Sequence, residues 1–321
     1  MKSYSSIGQF RNVIKEVKER HDYSGKDEDG KPMYSHTTPY PTLKFRGAVK
    51  LHGTNSSVVK YSDGRLAYQS RNRELAIDDD NAGFMGYMSG LDLSSLFGDI
   101  EFNDYCAIYG EWCGGNIQKG VAISELPKMW VIFGIKADDK WVEIPMDMQN
   151  PADNIYNILQ FQTFEVDVDF NTPELIQNRI IEMTTEVEDS CPVAKHFGKD
   201  GVGEGIVFTC VDDPDLRFKS KGEKHSISKV KTLNPISVEE LNSINEFVEY
   251  AVTENRLEQG IAFLEENNLE VDAKSTGQFI GWVVKDVMKE EKDTIEENQL
   301  NSKRLMNAIV SKARMWFLNK V

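Results

Sequence analysis

The chain has 321 residues, 40% of them apolar and 28% charged, with a formal net charge of −15. That length predicts two domains rather than one small core, and the composition is that of an ordinary soluble globular protein. The acidic balance argues against indiscriminate coating of nucleic acid. No apolar run approaches the roughly 20 residues that span a bilayer, and residues 1 to 25 lack the apolar core of a secretion signal, so a cytoplasmic location is expected.

In chain order, "SIGQFRNVIKEVKER" (6–20) predicts a helix with Ile7, Phe10, Val13, Ile14 and Val17 on one face. Residues 21 to 41, rich in Asp, Gly, Lys, Ser and Pro, predict a loop. From 43 to about 234 short strand-like runs dominate: "GAVKLHG", "SSVVKYS", "RLAYQSR", "YCAIYGEW", "WVIFGIK", "KWVEI", "GIVFTCV" and "LRFKSK". Two stretches, "NPADNIYNILQ" and "TPELIQNRIIEMTTEV", read as helices between them. Strands without a regular alternation with helices predict an α+β fold. The four cysteines, Cys106, Cys113, Cys191 and Cys210, have no CxxC spacing and read as buried free thiols.

The pattern changes after Pro235. Ser237 with Glu240 forms a candidate capping box, and Val238, Leu241, Ile244, Val248 and Ala251 recur at helical spacing. "TGQFIGWVVKDVMKEE" and "SKRLMNAIVSKARMWFL" keep that period, the latter with Leu305, Ile309, Lys312 or Ala313, and Trp316 near one face. Trp282 and Trp316 read as core. The expected division is 1–234 and an all-helical 235–321.

The chemistry-bearing residues form an ordered series. "VKLHGTN" places Lys50 three residues before Gly53, a spacing common by chance; its weight comes from four further motifs along the chain. "YGEW" ends an apolar strand on Glu111, "WVIFGI" carries Phe133, "EGIVF" sets Glu204 before a glycine, and "FKSK" puts Lys219 and Lys221 on one face of a strand. Carboxylates suit a hard cation and lysines suit phosphates, so the set predicts a site for a nucleoside triphosphate and its metal. A lysine that attacks phosphorus must be neutral, and Lys219 or Lys221 near Lys50 would lower its proton affinity. From Pro214 to Lys231 six cations (Arg217, Lys219, Lys221, Lys224, Lys229, Lys231) stand against Asp215 and Glu223, a local strip suited to phosphates or a nucleic-acid backbone.

The series KxxG, strand–Glu, aromatic strand, EGxV and KxK, over residues 43 to 231, resembles the covalent nucleotidyltransferases: DNA ligases, RNA ligases and mRNA capping enzymes. His52 in "KLHGTN", where DNA ligases and capping enzymes usually have KxDG, and "YGEWCGGNIQKGV" are similar to the phage RNA ligase 2 family of nick-sealing RNA ligases. A helical tail fits that family, whereas the other two would be expected to append an OB-fold.

The resemblance implies an ATP-grasp-like nucleotidyltransferase domain on antiparallel sheets, acting through lysyl-AMP and RNA-adenylate with ATP and Mg or Mn. The partner it implies is RNA with nicked or bridged ends. It makes Lys50 the nucleophile. His52, Thr54, Asn55, Arg71, Glu111, Phe133 and Val207 become the nucleotide-binding set, with Phe133 stacking on adenine. Glu204 and Glu111 become metal-site carboxylates, and Lys219 and Lys221 the α-phosphate contacts. Arg73 lies close enough to be confused with Arg71. The sequence departs from the family pattern at Thr209, where Lys or Arg is frequent, and at Ser56 and Ser57, where bulkier residues are common. The alternatives are a DNA ligase, a GTP-using capping enzyme, or a non-catalytic nucleic-acid-binding module.

Overall fold

The structure, a computed structural model, describes residues 1–98, 100–225, 244–297 and 300–321. In chain order the elements are α1 (Phe10–Asp22), β1 (Tyr23–Lys26), β2 (Pro32–Tyr34), β3 (Thr42–Lys50), β4 (Thr54–Tyr61), β5 (Leu66–Ser70), α2 (Phe84–Met88), α3 (Ser94–Phe97), β6 (Tyr105–Cys113), β7 (Met129–Ala137), β8 (Lys140–Val142), β9 (Ile155–Asn157) and β10 (Thr163–Asp169). There follow α4 (Gln177–Asp189), α5 (Pro192–His196), β11 (Gly205–Cys210), β12 (Arg217–Lys221), α6 (Ile244–Ala251), α7 (Glu254–Glu266), α8 (Thr276–Glu290), α9 (Lys292–Glu297) and α10 (Ser302–Lys320). The chain divides into two compact units: Met1–Ile7, Lys44–Val166 and Ile180–Gly222 in one, Gly8–Leu43, Asp167–Arg179 and Glu223–Val321 in the other.

The first unit is built on two sheets, one ordered β10-β3-β11-β12 and one ordered β5-β4-β6-β7-β8, with β9 pairing β7. The pairings of β11 with β3 and β12, and of β4, β5, β6, β7 and β8, are antiparallel; β9 runs parallel to β7. Side chains alternate between faces along a strand. In β11 this sends Ile206, Phe208 and Cys210 into the core and leaves Val207 and Thr209 half-buried on the other side. In the second sheet Ile108 and Trp112 face one cluster with Trp130 and Ile132, while Tyr105, Ala107 and Tyr109 face another with Val59. All four cysteines are free and buried, as expected.

Three expectations are corrected. Residues 21 to 41 contain the β1–β2 hairpin rather than only loop: Asp27 Oδ1 accepts from the Asp29 and Lys31 N–H groups at 3.0 and 2.8 Å, and Gly30 takes φ +78°. The strands are short and mostly exposed, so no apolar alternation announces them. "NPADNIYNILQ" is not a helix; a 3₁₀ turn over Pro151–Asp153 ends on Asn154 at φ +48°, and Ile155, 1% exposed, then pairs beside Trp130. The helix expected at 6–20 begins at Phe10, because Asn12 Oδ1 turns back to accept the Gln9 N–H at 2.8 Å.

Residues 244–297 and 300–321 of the second unit are helical and joined by short turns. Val248, Ala251, Leu305, Ile309 and Ala313 are buried together, and the last stripe closes on Phe317, with Trp282 and Trp316 packed partly buried against it. Each fully buried Leu, Ile or Phe contributes about 1.5–3 kcal/mol. Arg256, 0% exposed, is held by Asp286 at 2.9 Å and Glu291 at 3.3 Å. Arg11 of α1 reaches the same Glu291 at 2.8 Å and Asp293 at 3.1 Å, which ties the N-terminal helix into this unit. The expected 234/235 boundary, Ser237, Val238, Glu240 and Leu241 lie outside the described residues, as do Lys229 and Lys231 of the basic strip.

Candidate active site

Register places the candidate residues before any contact is considered. Lys50 at the end of β3, Gly205 at the start of β11 and Lys221 at the end of β12 stand in one row; Ala48, Val207 and Lys219 form the next row on the same face. Gly205 allows this close approach: it takes φ +147°, and a Cβ there would lie 2.1 Å from the Ser220 carbonyl oxygen.

Glu204, just before that row, is 2% exposed and collects three cationic or potentially cationic groups. Lys50 Nζ donates to its Oε2 at 2.7 Å, His52 Nδ1 lies 3.1 Å from the same oxygen, and Lys221 Nζ is 2.9 Å from Oε1. Burial alone would raise the Glu204 carboxyl's pKa. Lys221, Lys50 and His52 outweigh burial and hold it well below the usual range, so it stays a carboxylate. Burial pushes Lys221 down to about 8; Glu204 opposes the shift, and Lys50 and Lys219 add to it.

The strand–turn–strand through Lys50 links the two sheets. Gly53 donates its N–H to Glu111 Oε1 at 3.1 Å, and a Cβ on it would lie 2.4 Å from the Trp112 carbonyl oxygen, so this position requires glycine. Beyond the turn Asn55 pairs with Glu111, and Glu111 with Val131. Phe133 is half-buried against the Val59–Tyr105–Ala107–Tyr109 cluster, with its ring 4.9 Å from that of Tyr4. By alternation Asn55, Glu111 and that cluster share a face.

Two candidates stand apart. Thr54 is 3% exposed and pairs with Trp112 on the opposite face, where its hydroxyl accepts from Asn81 Nδ2 at 2.7 Å. Arg71, just past β5, is exposed and makes no hydrogen bond or ion pair among the described residues. Its neighbour Arg73 is engaged in a two-point pair with Asp79 at 3.0 and 3.1 Å and donates to the Asp80 carbonyl. Ser56 and Ser57 are buried in β4, where Ser56 Oγ donates to the Gly110 carbonyl.

Arg217 is not the solvated cation that a basic strip suggests. It lies 4.6 Å over the Tyr4 ring and 4.3 Å over Trp141, and Asp215 takes both the Trp141 N–H at 2.8 Å and the Arg217 guanidinium at 3.4 Å. Tyr4 carries no sequence signal, because its partners are far away in the chain.

Glu111 and Glu204 offer oxygen alone, the donor type a hard divalent cation takes. Both Glu204 oxygens are engaged by cations, so a metal ion there must displace one of those partners, and Glu111 Oε1 accepts the Gly53 N–H.

The RNA ligase family model matches residues 44–231, and the chain belongs to that family. No curated protein matches it. Among solved structures it is similar to a Naegleria gruberi RNA ligase with PPi, at 19% identity over 70% of this chain and 56% of that one, TM-score 0.43. It is also similar to mutants of that protein, one with ATP and Mn (16% identity, 69% and 56% coverage, TM-score 0.44) and one with AMP and Mn (18%, 70% and 56%, 0.46). The chain thus spans little more than half the length of these proteins.

Proposed function

We propose that the chain is an ATP-dependent RNA ligase of the nick-sealing kind, joining 3′-OH and 5′-phosphate RNA ends in nicked duplex or bridged RNA. The observation that carries this reading is the convergence of Lys50, His52 and Lys221 on the buried carboxylate of Glu204.

Lys50 Nζ, once deprotonated, attacks the α-phosphorus of ATP; the bond to the bridging oxygen breaks, pyrophosphate leaves and a lysyl-AMP phosphoramide forms. The AMP then passes to the RNA 5′-phosphate, and the adjoining 3′-OH displaces it. In this scheme Lys219 and Lys221 face the α-phosphate, a role supported by their sharing the Lys50 face of the sheet. Phe133 stacks on adenine, Val207 lines the same face, Asn55 and Glu111 contact the nucleotide, and Arg71 contacts the ribose or 5′-phosphate. The partner-free state of Arg71 and the engaged state of Arg73 support choosing Arg71. Thr54 acts through Asn81 to fix the turn. Glu111 and Glu204 would hold a divalent ion of the Mg or Mn type, which would supply charge neutralisation at the phosphates.

Residues 1–234 serve as the adenylyltransferase part and the helices after 235 engage substrate, with α1 contributing to the helical unit. A cytoplasmic site of action is supported by four free cysteines and by the lack, among the described residues, of a helix long and apolar enough to cross a membrane. KLHG in place of KxDG and the helical tail favour RNA over DNA. The test compares sealing of nicked all-RNA and all-DNA duplexes with ATP and with GTP. Faster sealing of RNA with ATP is expected; equal sealing of DNA, or preference for GTP, would overturn the reading.

A further inference from the structure

At the C-terminal end of α1 and in the segment leading to β3, two of the chain's five histidines meet one aspartate. His21 Nδ1 lies 3.0 Å and His36 Nδ1 3.1 Å from Asp22 Oδ1, and all three donor atoms fall within 4.8 Å of one another. A metal ion bound at about 2.0–2.2 Å to each would set such donors about 3.3 Å apart, close to the two nitrogen–oxygen distances of 3.0 and 3.1 Å. The atoms behind the donors are also arranged. His21 Nε2 meets Thr38 Oγ1 at 3.1 Å, and Asp22 Oδ2 accepts from the Tyr40 hydroxyl at 2.9 Å. These are the outer hydrogen bonds that fix an Nδ1-ligating tautomer and orient a carboxylate. Tyr40 is itself held, with its N–H and C=O both bonded to the Asn171 side chain at 2.9 Å. Its ring packs 4.4 Å from His36 and 5.1 Å from His21.

We propose that His21, Asp22 and His36 form a binding site for a divalent transition-metal ion of the zinc class. The ion would clasp the C-terminal end of α1 to the segment that leads into β3. Two imidazoles and one carboxylate select a borderline ion such as Zn²⁺ or Co²⁺ over Mg²⁺, which prefers an all-oxygen shell. The site is independent of the ligase reading and uses none of its residues.

The test titrates Co²⁺ into the tag-free, chelator-treated full chain in excess Mg²⁺, which occupies hard-cation sites. One Co²⁺ per chain is expected, with visible absorption of a four- or five-coordinate ion that Zn²⁺ abolishes. Zn²⁺ should raise the melting temperature. His36→Gln and His21→Gln should each weaken binding by about 100-fold, and Tyr40→Phe and Thr38→Val by about tenfold. His36 is 51% exposed, so its substitution leaves packing intact, and circular dichroism checks that it does. The proposal is overturned by a metal-free His–Asp–His hydrogen-bond latch, seen as Co²⁺ absorption no different from the free ion. Equal affinity of wild type and His36→Gln, or displacement of Co²⁺ by Mg²⁺, would also overturn it.

Discussion

At the scale of single residues, the site is organised by one buried charge. Glu204 could not remain ionised at 2% exposure alone; Lys50 and Lys221 make it possible, and it in turn holds both ammonium groups in reach of one ligand. Lys221 carries the consequence that can be measured. With its pKa pushed down to about 8, it is an ammonium below that pH and a neutral amine above it. An α-phosphate contact needs the ammonium, so adenylylation should lose rate on the alkaline side as pH rises through about 8. Arginine keeps its charge at any such pH. Lys221→Arg should therefore lower the rate but remove that alkaline limb. A residual rate that keeps the limb would show that Lys221 is not its source.

Elements decide whether these residues meet. β11 brings β3 and β12 together only because Gly205 lets the backbone of β12 approach, and Gly53 does the same between the turn after β3 and β6. Gly205→Ala should cost about 1–3 kcal/mol of stability in urea unfolding. It should reduce adenylylation beyond that loss, because β12 carries Lys221 away from Glu204; full activity in a destabilised variant would contradict this.

Much of this level was legible in the sequence. The strand runs were readable as short apolar stretches between turn signals, and Lys219 and Lys221 by a two-residue spacing that a strand converts into a shared face, while Lys50 and Glu204 stood out only through the order of the motifs along the chain. The features that were not legible depend on distant partners. The capture of Thr54 by Asn81, the packing of Arg217 between Tyr4 and Trp141, and the strand at Ile155 all rest on contacts that no local window contains.

For the whole molecule, the position of α1 matters most. It lies at the start of the chain, yet Arg11 is buried among Glu291, Asp293 and Thr294. Removing one partner of a buried ion pair costs as much as about 3–5 kcal/mol, so Arg11→Met should destabilise the chain by up to that amount in denaturant unfolding. An unchanged midpoint would contradict the burial. A fragment of residues 1–234 likewise strands α1. It should melt below the full chain while still forming the adenylate, since Lys50, Glu204, Lys219 and Lys221 all belong to the other unit. The most direct test of the account is incubation of the full chain with α-labelled ATP and magnesium. An acid-stable AMP adduct that is present in wild type and absent in Lys50→Ala is predicted; no adduct, or one that survives the loss of Lys50, would contradict it.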